Sequence, residues 1–288
     1  MIPLRSLLFV PAHRERMMEK AIISDADGVL YDIEDSVPPQ ERENARKLIN
    51  DAASAITKIP RYVRINGIAD AGKEETGADI EASTLCNIEG IVVPKVQGPE
   101  EIVWIENRLD RLENERNIKN RRLEIIPMIE SALGVHFAYD ILNASQRIVS
   151  VILGTAEDGD LQTDLGTEWS PEGLELHYFR SHVLLAARAA GIEHPLDGVF
   201  PALDNEEGLI KDSRNARRLG YRGKTIIHPK QIDPVHQVFS PTEEEKSYYR
   251  EMITVFEDGG QTATRYKGKM IDRAMVRKAK NFLRYFND

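Results

Sequence analysis

Two acidic residues stand where two predicted strands end, in the middle of this 288-residue sequence. The apolar run 125–129 ends at Glu130, and the run 148–153 is followed within a few residues by Asp158. Short apolar runs bounded by turn residues predict strands covered on both faces, and the segment 134–142 between them has the length of a crossover helix. Strands joined in this way are parallel, so both carboxylates are expected at the same end of a sheet. Two carboxylates there suit a hard divalent cation that keeps open positions for substrate oxygens, which predicts an enzyme.

Apolar runs alternate with helical patterns along most of the chain. The predicted strands are 7–10, 29–33, 61–65, 90–94, 123–129, 148–153, 198–201 and 225–228. Eight strands that alternate with helices over this length predict an α/β protein with a (β/α)8 TIM barrel, and a doubly wound open sheet is the alternative. No glycine fingerprint follows the first strand, where Ala12, His13 and Arg14 stand, so a dinucleotide-binding version of the open sheet is disfavoured.

The pattern changes near the C-terminus. We expect a catalytic barrel over residues 1–238 and a helical extension over 239–288, with helices at 242–256 and 271–286. The segment between them, 257–264, is polar and contains two glycines, which is typical of a joint that can move. The extension is either a packing element or a lid, and the pattern alone favours neither.

Other polar residues also follow predicted strands, and catalytic groups in barrels come from the carboxyl ends of strands. They are Asp32, Glu34 and Asp35 after the second strand, Arg64 and Asn66 at the third, Lys95 after the fourth, and His228 at the eighth. The guanidinium fork of Arg64 matches a carboxylate or a developing oxyanion, and a structural ion pair with the 32–35 acids is the alternative. We expect His228 to anchor the end of its strand and Cys86 to be a core residue.

Composition narrows the function classes. The hydrophobic content of 41% supports one large core, and 38 Lys and Arg against 47 Asp and Glu give a net charge of −9, which argues against nucleic acid as a partner. Cys86 is the single cysteine, so an intrachain disulfide is excluded and a reducing compartment is expected. No apolar run approaches the roughly 20 residues of a membrane span. We expect a cytoplasmic protein with no membrane partner.

Seven sequence motifs, in order, resemble the citrate lyase beta subunit-like family, which includes citryl-, malyl- and citramalyl-CoA lyases within the magnesium-dependent class II (HpcH/HpaI) aldolases. The motifs are RSLLFVP from Arg5, YDIEDSV from Tyr31, RIN from Arg64, VPK ending at Lys95, IESALGV around Glu130, GK with IHP at 223–229, and GKMID ending at Asp272. They span nearly the whole chain.

The resemblance implies a barrel, commonly a homotrimer, that cleaves or forms a carbon–carbon bond between an acyl-CoA and a small keto acid. It implies that Glu130 and an aspartate after the next strand bind Mg²⁺, with Mn²⁺ as an alternative metal, and that Arg64 stabilises the thioester enolate. Asn66 and Lys95 are expected to contact substrate. Asp272, on a lid supplied by a neighbouring subunit, is expected to exchange the proton with the enolate.

One loop departs from the family pattern. Residues 154–166 are longer than the usual version, so counting from Gly154 selects Asp158 as the second metal ligand, whereas counting back from Gly166 selects Asp160. We choose Asp158 and keep Asp160 as the competitor. Asp32, Glu34 and Asp35 are expected to be outer acids that orient metal-bound water or hold the cations in place, and an ion-pair network without catalytic part is the alternative.

Two other activities of the same class stay open. The first is hydrolysis of the thioester, as in related malyl-CoA thioesterases, alone or after condensation as in malate synthase. The second is a beta subunit of a citrate lyase complex that works only on an acyl carrier protein. The sequence does not set the length of the acyl chain.

Overall fold

The computed structural model describes residues 4–55, 57–85, 87–118, 122–170 and 172–285. Cys86 and Phe286, on which two of the sequence-based expectations fall, lie outside these residues. The chain divides into two compact units, Met1–Phe239 and Ser240–Asp288.

The first unit is a closed barrel of eight parallel strands, which confirms the predicted TIM-barrel fold. Its strands β1 to β8 are Ser6–Pro11, Gly28–Asp32, Arg61–Arg64, Gly90–Val93, Glu124–Ile129, Ile152–Leu153, Leu196–Asp197 and Gly223–Ile226. Each strand pairs with the next along the chain, and β8 closes on β1 with Ser6 opposite Lys224. The carboxyl ends of all eight strands therefore meet at one rim.

Helices cover the outside of the barrel. In chain order, α1 to α10 are Glu15–Ala21, Arg42–Ala53, Ile68–Ser83, Pro99–Glu115, Ala132–His136, Ala138–Leu142, Asp160–Leu165, Leu174–Ala189, Glu206–Leu219 and Ile232–Phe239. Short 3₁₀ turns at Pro39–Glu41 and Pro229–Gln231 begin at prolines, whose fixed φ suits the first turn of a helix.

Two apolar clusters hold the barrel together. The larger cluster lies between strands and helices, and a smaller one fills the interior with side chains such as Leu30, Tyr62, Val92 and Ile126. Alternate residues of a strand point to opposite faces, so continuous apolar strands supply both clusters. This packing makes the barrel a solid core and leaves function to its rim.

Two predicted elements differ from the structure. The seventh strand is Leu196–Asp197, which ends before the predicted 198–201 begins; strand pairing stops there, and Val199 turns into a cavity at the rim. The predicted helix 134–142 is two short helices, α5 and α6, because Phe137 between them leaves helical geometry.

The second unit has its own small core. Helices α11, Glu243–Asp258, and α12, Arg273–Tyr285, flank an antiparallel hairpin of β9, Thr264–Tyr266, and β10, Lys269–Ile271, which the sequence reading did not predict. Met252, Phe256, Tyr266, Ile271 and Val276 pack together in it. Tyr266 also donates a hydrogen bond from its hydroxyl to Glu251 at 2.7 Å. Among the described residues, no helix of either unit is long and apolar enough to cross a bilayer.

Candidate functional site

Glu130 lies directly after β5 and is only 5% exposed. The register that pairs Ile129 with Leu153 brings it beside Gly154, where a Cβ atom would lie 2.8 Å from the Glu130 Cβ. A side chain at position 154 would therefore displace the carboxylate. Burial, together with the nearby charges of Glu34 and Asp160, raises the pKa of Glu130 to about 8 although Arg64 opposes the shift. A buried acid in this state has the electrostatic surroundings that favour a bound cation.

Arg64 and Asp32 face each other because β2 and β3 place their Cα atoms in register. The guanidinium donates from Nε to Asp32 Oδ1 at 2.7 Å and from Nη2 to Oδ2 at 2.8 Å. Burial alone would raise the pKa of Asp32, but the charge and hydrogen bonds of Arg64 lower it below the ordinary value. Arg64 also stacks over the Phe9 ring, with 4.9 Å from Cζ to the ring centroid. The ion pair offered as the structural alternative for Arg64 is therefore present.

The third guanidinium nitrogen of Arg64 is less constrained. Its Nη1 atom lies 2.7 Å from Glu34 Oε2, yet that oxygen has no hydrogen bond of acceptable geometry. The distance fits a contact of opposite charges, and the direction does not fit a hydrogen bond. Nη1 can therefore donate to another oxygen while Asp32 holds the rest of the guanidinium in place.

Lys95 sits at the centre of an acidic network. Its Nζ lies 2.9 Å from Glu34 Oε1, 3.0 Å from Asp70 Oδ2 and 3.7 Å from Asp160 Oδ2. Burial alone would lower the pKa of Lys95, but these acids raise it above its ordinary value, so the ammonium stays charged. Its backbone has a φ of 53°, a left-handed conformation that costs free energy in a non-glycine residue. The Lys95 amide donates to Glu130 Oε1 at 3.1 Å, so this conformation also orients the glutamate.

The long loop after β6 presents Asp160, and not Asp158, to the site. Asp158 is exposed, has a left-handed φ of 56°, and its amide donates to Gln162 Oε1 within the loop. Asp160 is the first residue of α7 and lines the same cavity as Glu130. The geometry therefore favours the competitor over the residue that we chose from the sequence.

These groups surround a cavity of about 440 Å³ at the carboxyl ends of the strands. Its polar lining includes Asp32, Arg64, Glu130 and Asp160, and its apolar lining includes Phe9, Pro11, Met128, Val199 and Ile227. Most of the predicted rim residues thus converge, either on the cavity or on the cations beside it.

Three predicted site residues are placed elsewhere. Asn66 donates from its backbone amide and its side chain to Asp79 Oδ2, at 2.8 and 2.7 Å, and does not line the cavity. His228 accepts a hydrogen bond from the Lys230 amide at 3.1 Å, which fits the expected anchoring of the turn after β8. Asp272 is exposed and accepts from two backbone amides at the start of α12, those of Ala274 and Met275.

Sequence reasoning missed some residues that shape the site. Asp70 pairs with Lys95, and its position just after the third strand could have suggested a rim residue. Phe9 faces the interior as an alternating residue of β1, but an aromatic residue in a strand gives no distinctive signal. Val199 and Ile227 look like ordinary core residues in the sequence, and only their place at strand ends makes them cavity walls.

The donor set fits Mg²⁺. Among the described residues, no group of three or more His, Cys, Asp or Glu side chains forms a complete metal cage. Mg²⁺ does not need one, because it is commonly held by one or two carboxylates and completes its octahedron with water and substrate oxygens. Glu130 and Asp160, which face one cavity and repel each other electrostatically, meet that requirement.

Comparison with known proteins agrees with this geometry. The HpcH/HpaI aldolase/citrate lyase family model matches residues 5–229. Citrate lyase subunit beta of Leuconostoc mesenteroides subsp. cremoris is 34% identical over 98% of this chain and 93% of its own, and (3S)-malyl-CoA thioesterase of Cereibacter sphaeroides is 31% identical over 98% and 94%. The crystal structure of CitE from Mycobacterium tuberculosis with magnesium, acetoacetate and coenzyme A superposes with a TM-score of 0.79 at 25% identity, over 99% of both chains.

The matches cover the barrel and most of the C-terminal unit. They confirm the family predicted from the seven motifs, and with it the prediction of an enzyme of the aldolase and lyase class. The chain belongs to the HpcH/HpaI aldolase/citrate lyase family.

Proposed function

We propose that this protein is a Mg²⁺-dependent carbon–carbon lyase that cleaves a 3-hydroxyacyl-CoA, such as malyl-, citramalyl- or citryl-CoA, into an acyl-CoA and a keto acid. The observation that carries the proposal is the single cavity in which Glu130 and Asp160 stand beside Arg64. Relatives named for lyase and thioesterase activities on such substrates, and a related structure with magnesium and coenzyme A, support it.

In the proposed reaction the bond between carbons 2 and 3 of the acyl group breaks. The 3-hydroxyl loses its proton and becomes the carbonyl of the keto acid, and the bonding electrons move to the thioester as an enolate, which takes up a proton to give the acyl-CoA. Mg²⁺ held by Glu130 and Asp160 would act as a Lewis acid toward the oxygens of the keto acid portion.

Arg64 is proposed to stabilise the enolate oxygen. Its Nη1 is free to donate, and Asp32 holds the guanidinium by two hydrogen bonds, so the donor needs no reorganisation during the reaction. Asp32 and Glu34 would then position the two cations, as expected for outer acids, and Asp35, 3.6 Å from Arg64 Nη1, would assist at the cavity rim.

Lys95 is proposed to act through its neighbours. The ammonium joins Glu34 and Asp160, and the amide orients Glu130, so it links both proposed metal ligands. Asn66 would support the start of α3 through Asp79, since the same carboxylate oxygen accepts its amide and side-chain nitrogens. Neither role requires contact with substrate, in contrast to the sequence-based expectation.

The roles of the C-terminal unit rest on the resemblance alone. Asp272 is proposed to exchange the proton with the enolate from a neighbouring subunit, which requires a homotrimer. Light scattering after gel filtration would test the trimer, and Asp272→Ala should slow solvent exchange at the acyl carbon without weakening metal binding. A cytoplasmic location is proposed from the single cysteine and the bacterial citrate lyase relatives.

Metal binding provides a direct test of the two aspartates. Asp160→Asn should weaken Mg²⁺ binding by at least about tenfold, because a neutral amide replaces one of two anionic ligands, whereas Asp158→Asn should change it by less than about threefold. Isothermal titration calorimetry measures both, with the two variants as matched controls only two residues apart. The reverse pattern would restore Asp158 as the ligand.

Turnover provides the second test. Malyl-, methylmalyl- and citramalyl-CoA should each be assayed with Mg²⁺ and with EDTA, while acyl-CoA, keto acid and free thiol are measured separately. Keto acid formed in equal amount to acyl-CoA, and lost in EDTA, is the expected result. Free thiol without keto acid would identify a thioesterase, and activity only with a carrier-bound substrate and partner subunits would identify a citrate lyase beta subunit.

A further inference from the structure

The cavity has a polar side and an apolar side, divided by the order of the strands. Asp32, Arg64, Glu130 and Asp160 come from β2, β3, β5 and the loop after β6. The three strands that complete the circle, β7, β8 and β1, are neighbours in the closed barrel. Among the described residues they contribute only apolar side chains to the cavity, which together we call the apolar wall: Phe9, Pro11, Val199 and Ile227.

The apolar wall begins next to the proposed metal ligands. Asp160 follows β6, Val199 follows β7, and Ile227 follows β8, so the first two wall positions adjoin the Asp160 loop in the barrel order. A keto acid that gives its carboxylate and carbonyl oxygens to a metal at Glu130 and Asp160 has one remaining group, the substituent on the far side of the carbonyl. That substituent would face the wall.

The charges of the cavity disfavour a second carboxylate. Of the described lining residues four are acids, Asp32, Asp35, Glu130 and Asp160, and Arg64 is the sole cation. Arg64 is already paired with Asp32 through two hydrogen bonds. A carboxylate on the substituent would lose water without gaining a cationic partner, and an unpaired buried charge is strongly unfavourable.

We infer that the keto acid handled by this site is a monocarboxylate whose substituent is hydrogen or an alkyl group, and that a dicarboxylate such as oxaloacetate is rejected. The inference rests on the proposed lyase function and narrows its substrate class. It favours malyl- and citramalyl-type thioesters, which release glyoxylate and pyruvate, over a citryl thioester, which releases oxaloacetate.

A matched pair of keto acids tests the inference. 2-Ketobutyrate and oxaloacetate differ at one position, where the first carries a methyl group and the second a carboxylate. The Mg²⁺-loaded enzyme should be assayed in the condensation direction with acetyl-CoA, and the binding of each keto acid should be titrated without acyl-CoA. We expect both kcat/KM and affinity to favour 2-ketobutyrate by at least about 100-fold, as expected for an unpaired charge in a desolvated site.

The outcomes separate the inference from the function beneath it. Oxaloacetate within threefold of 2-ketobutyrate, or better, would overturn the inference and leave the lyase function standing. Absence of binding and turnover with every keto acid, glyoxylate and pyruvate included, would overturn the proposed function itself.

A substitution in the wall locates the selectivity. Ile227 is 39% exposed, so Ile227→Arg can be accommodated, and its cation should improve the affinity of oxaloacetate relative to 2-ketobutyrate by at least about tenfold. Leu203→Arg is the matched control, because Leu203 is 43% exposed on the segment after β7 but does not line the cavity. Val199→Lys offers a second position if the first variant folds poorly. An unchanged ratio in both wall variants would overturn the inference.

Discussion

Replacement of Glu130 by glutamine should stabilise the metal-free protein while it abolishes metal-dependent turnover. Burial raises the pKa of Glu130 from 4.5 to about 8, so between these values the folded state binds the proton more tightly than the unfolded chain does. The stability of the wild-type protein should therefore fall as the pH rises through this range. Glutamine resembles the protonated acid and has no such pH dependence.

The size of the effect follows from the same two pKa values. With about 1.4 kcal/mol for each pH unit, the advantage of Glu130→Gln is at most about 3 kcal/mol at pH 7 and falls below about 1 kcal/mol at pH 5. The measurement is urea unfolding in EDTA at pH 5, 6, 7 and 8, followed by the fluorescence of Trp104 and Trp169, which both lie in the first unit. Glu157→Gln is the control, because Glu157 is an exposed glutamate in the loop that carries Asp160.

Addition of Mg²⁺ should reverse the order of the two proteins. A ligand at 100 times its Kd stabilises the folded state by about 2.7 kcal/mol, and only the wild-type protein should gain this. A stability difference that does not vary with pH, or a variant less stable than wild type at pH 8 in EDTA, would refute the assignment of Glu130 as a buried acid of raised pKa. Normal turnover by the variant would refute its role as metal ligand.

Three further predictions concern other parts of the first unit. Gly154→Ala should weaken Mg²⁺ binding by at least about tenfold in calorimetry with little loss of secondary structure by circular dichroism, because the new Cβ would lie 2.8 Å from the Glu130 Cβ; unchanged affinity would contradict it. Arg64→Lys should lower kcat/KM by at least about 100-fold, since lysine cannot reproduce the two-point contact with Asp32 and still donate to an enolate; a loss of stability with normal kcat/KM would leave only the structural ion pair. Burial lowers the pKa of His194 to about 4, so protonation of the unfolded chain should reduce stability as the pH falls from 6.5 to 4, and His194→Gln should flatten this part of the urea-derived stability curve; an equally steep curve in the variant would contradict it.

Much of the barrel could be predicted from the sequence because its signals are local. Apolar runs such as 125–129 are strand-forming wherever they are buried on both sides, and Glu130 had to follow one of them. The seventh strand was wrong because its two residues, Leu196–Asp197, are too short to give a periodic signal, while the more apolar run after it forms a cavity wall. The hairpin of the second unit was missed because its strands have only three residues each.

By itself the sequence determined the family, the barrel, and the identity of Glu130, Arg64 and Lys95 as rim residues. The tertiary structure decided which partners they have. Asp70 reaches Lys95, and Asp160 reaches the cavity of Glu130, because strands and loops distant in sequence meet at the rim. Two residues separate Asp158 from Asp160, and the left-handed turn at Asp158 sends its carboxylate to the surface while the next helix begins with Asp160. A side chain's direction depends on backbone dihedrals and packing in such a loop, and these arise only when the barrel has closed around it.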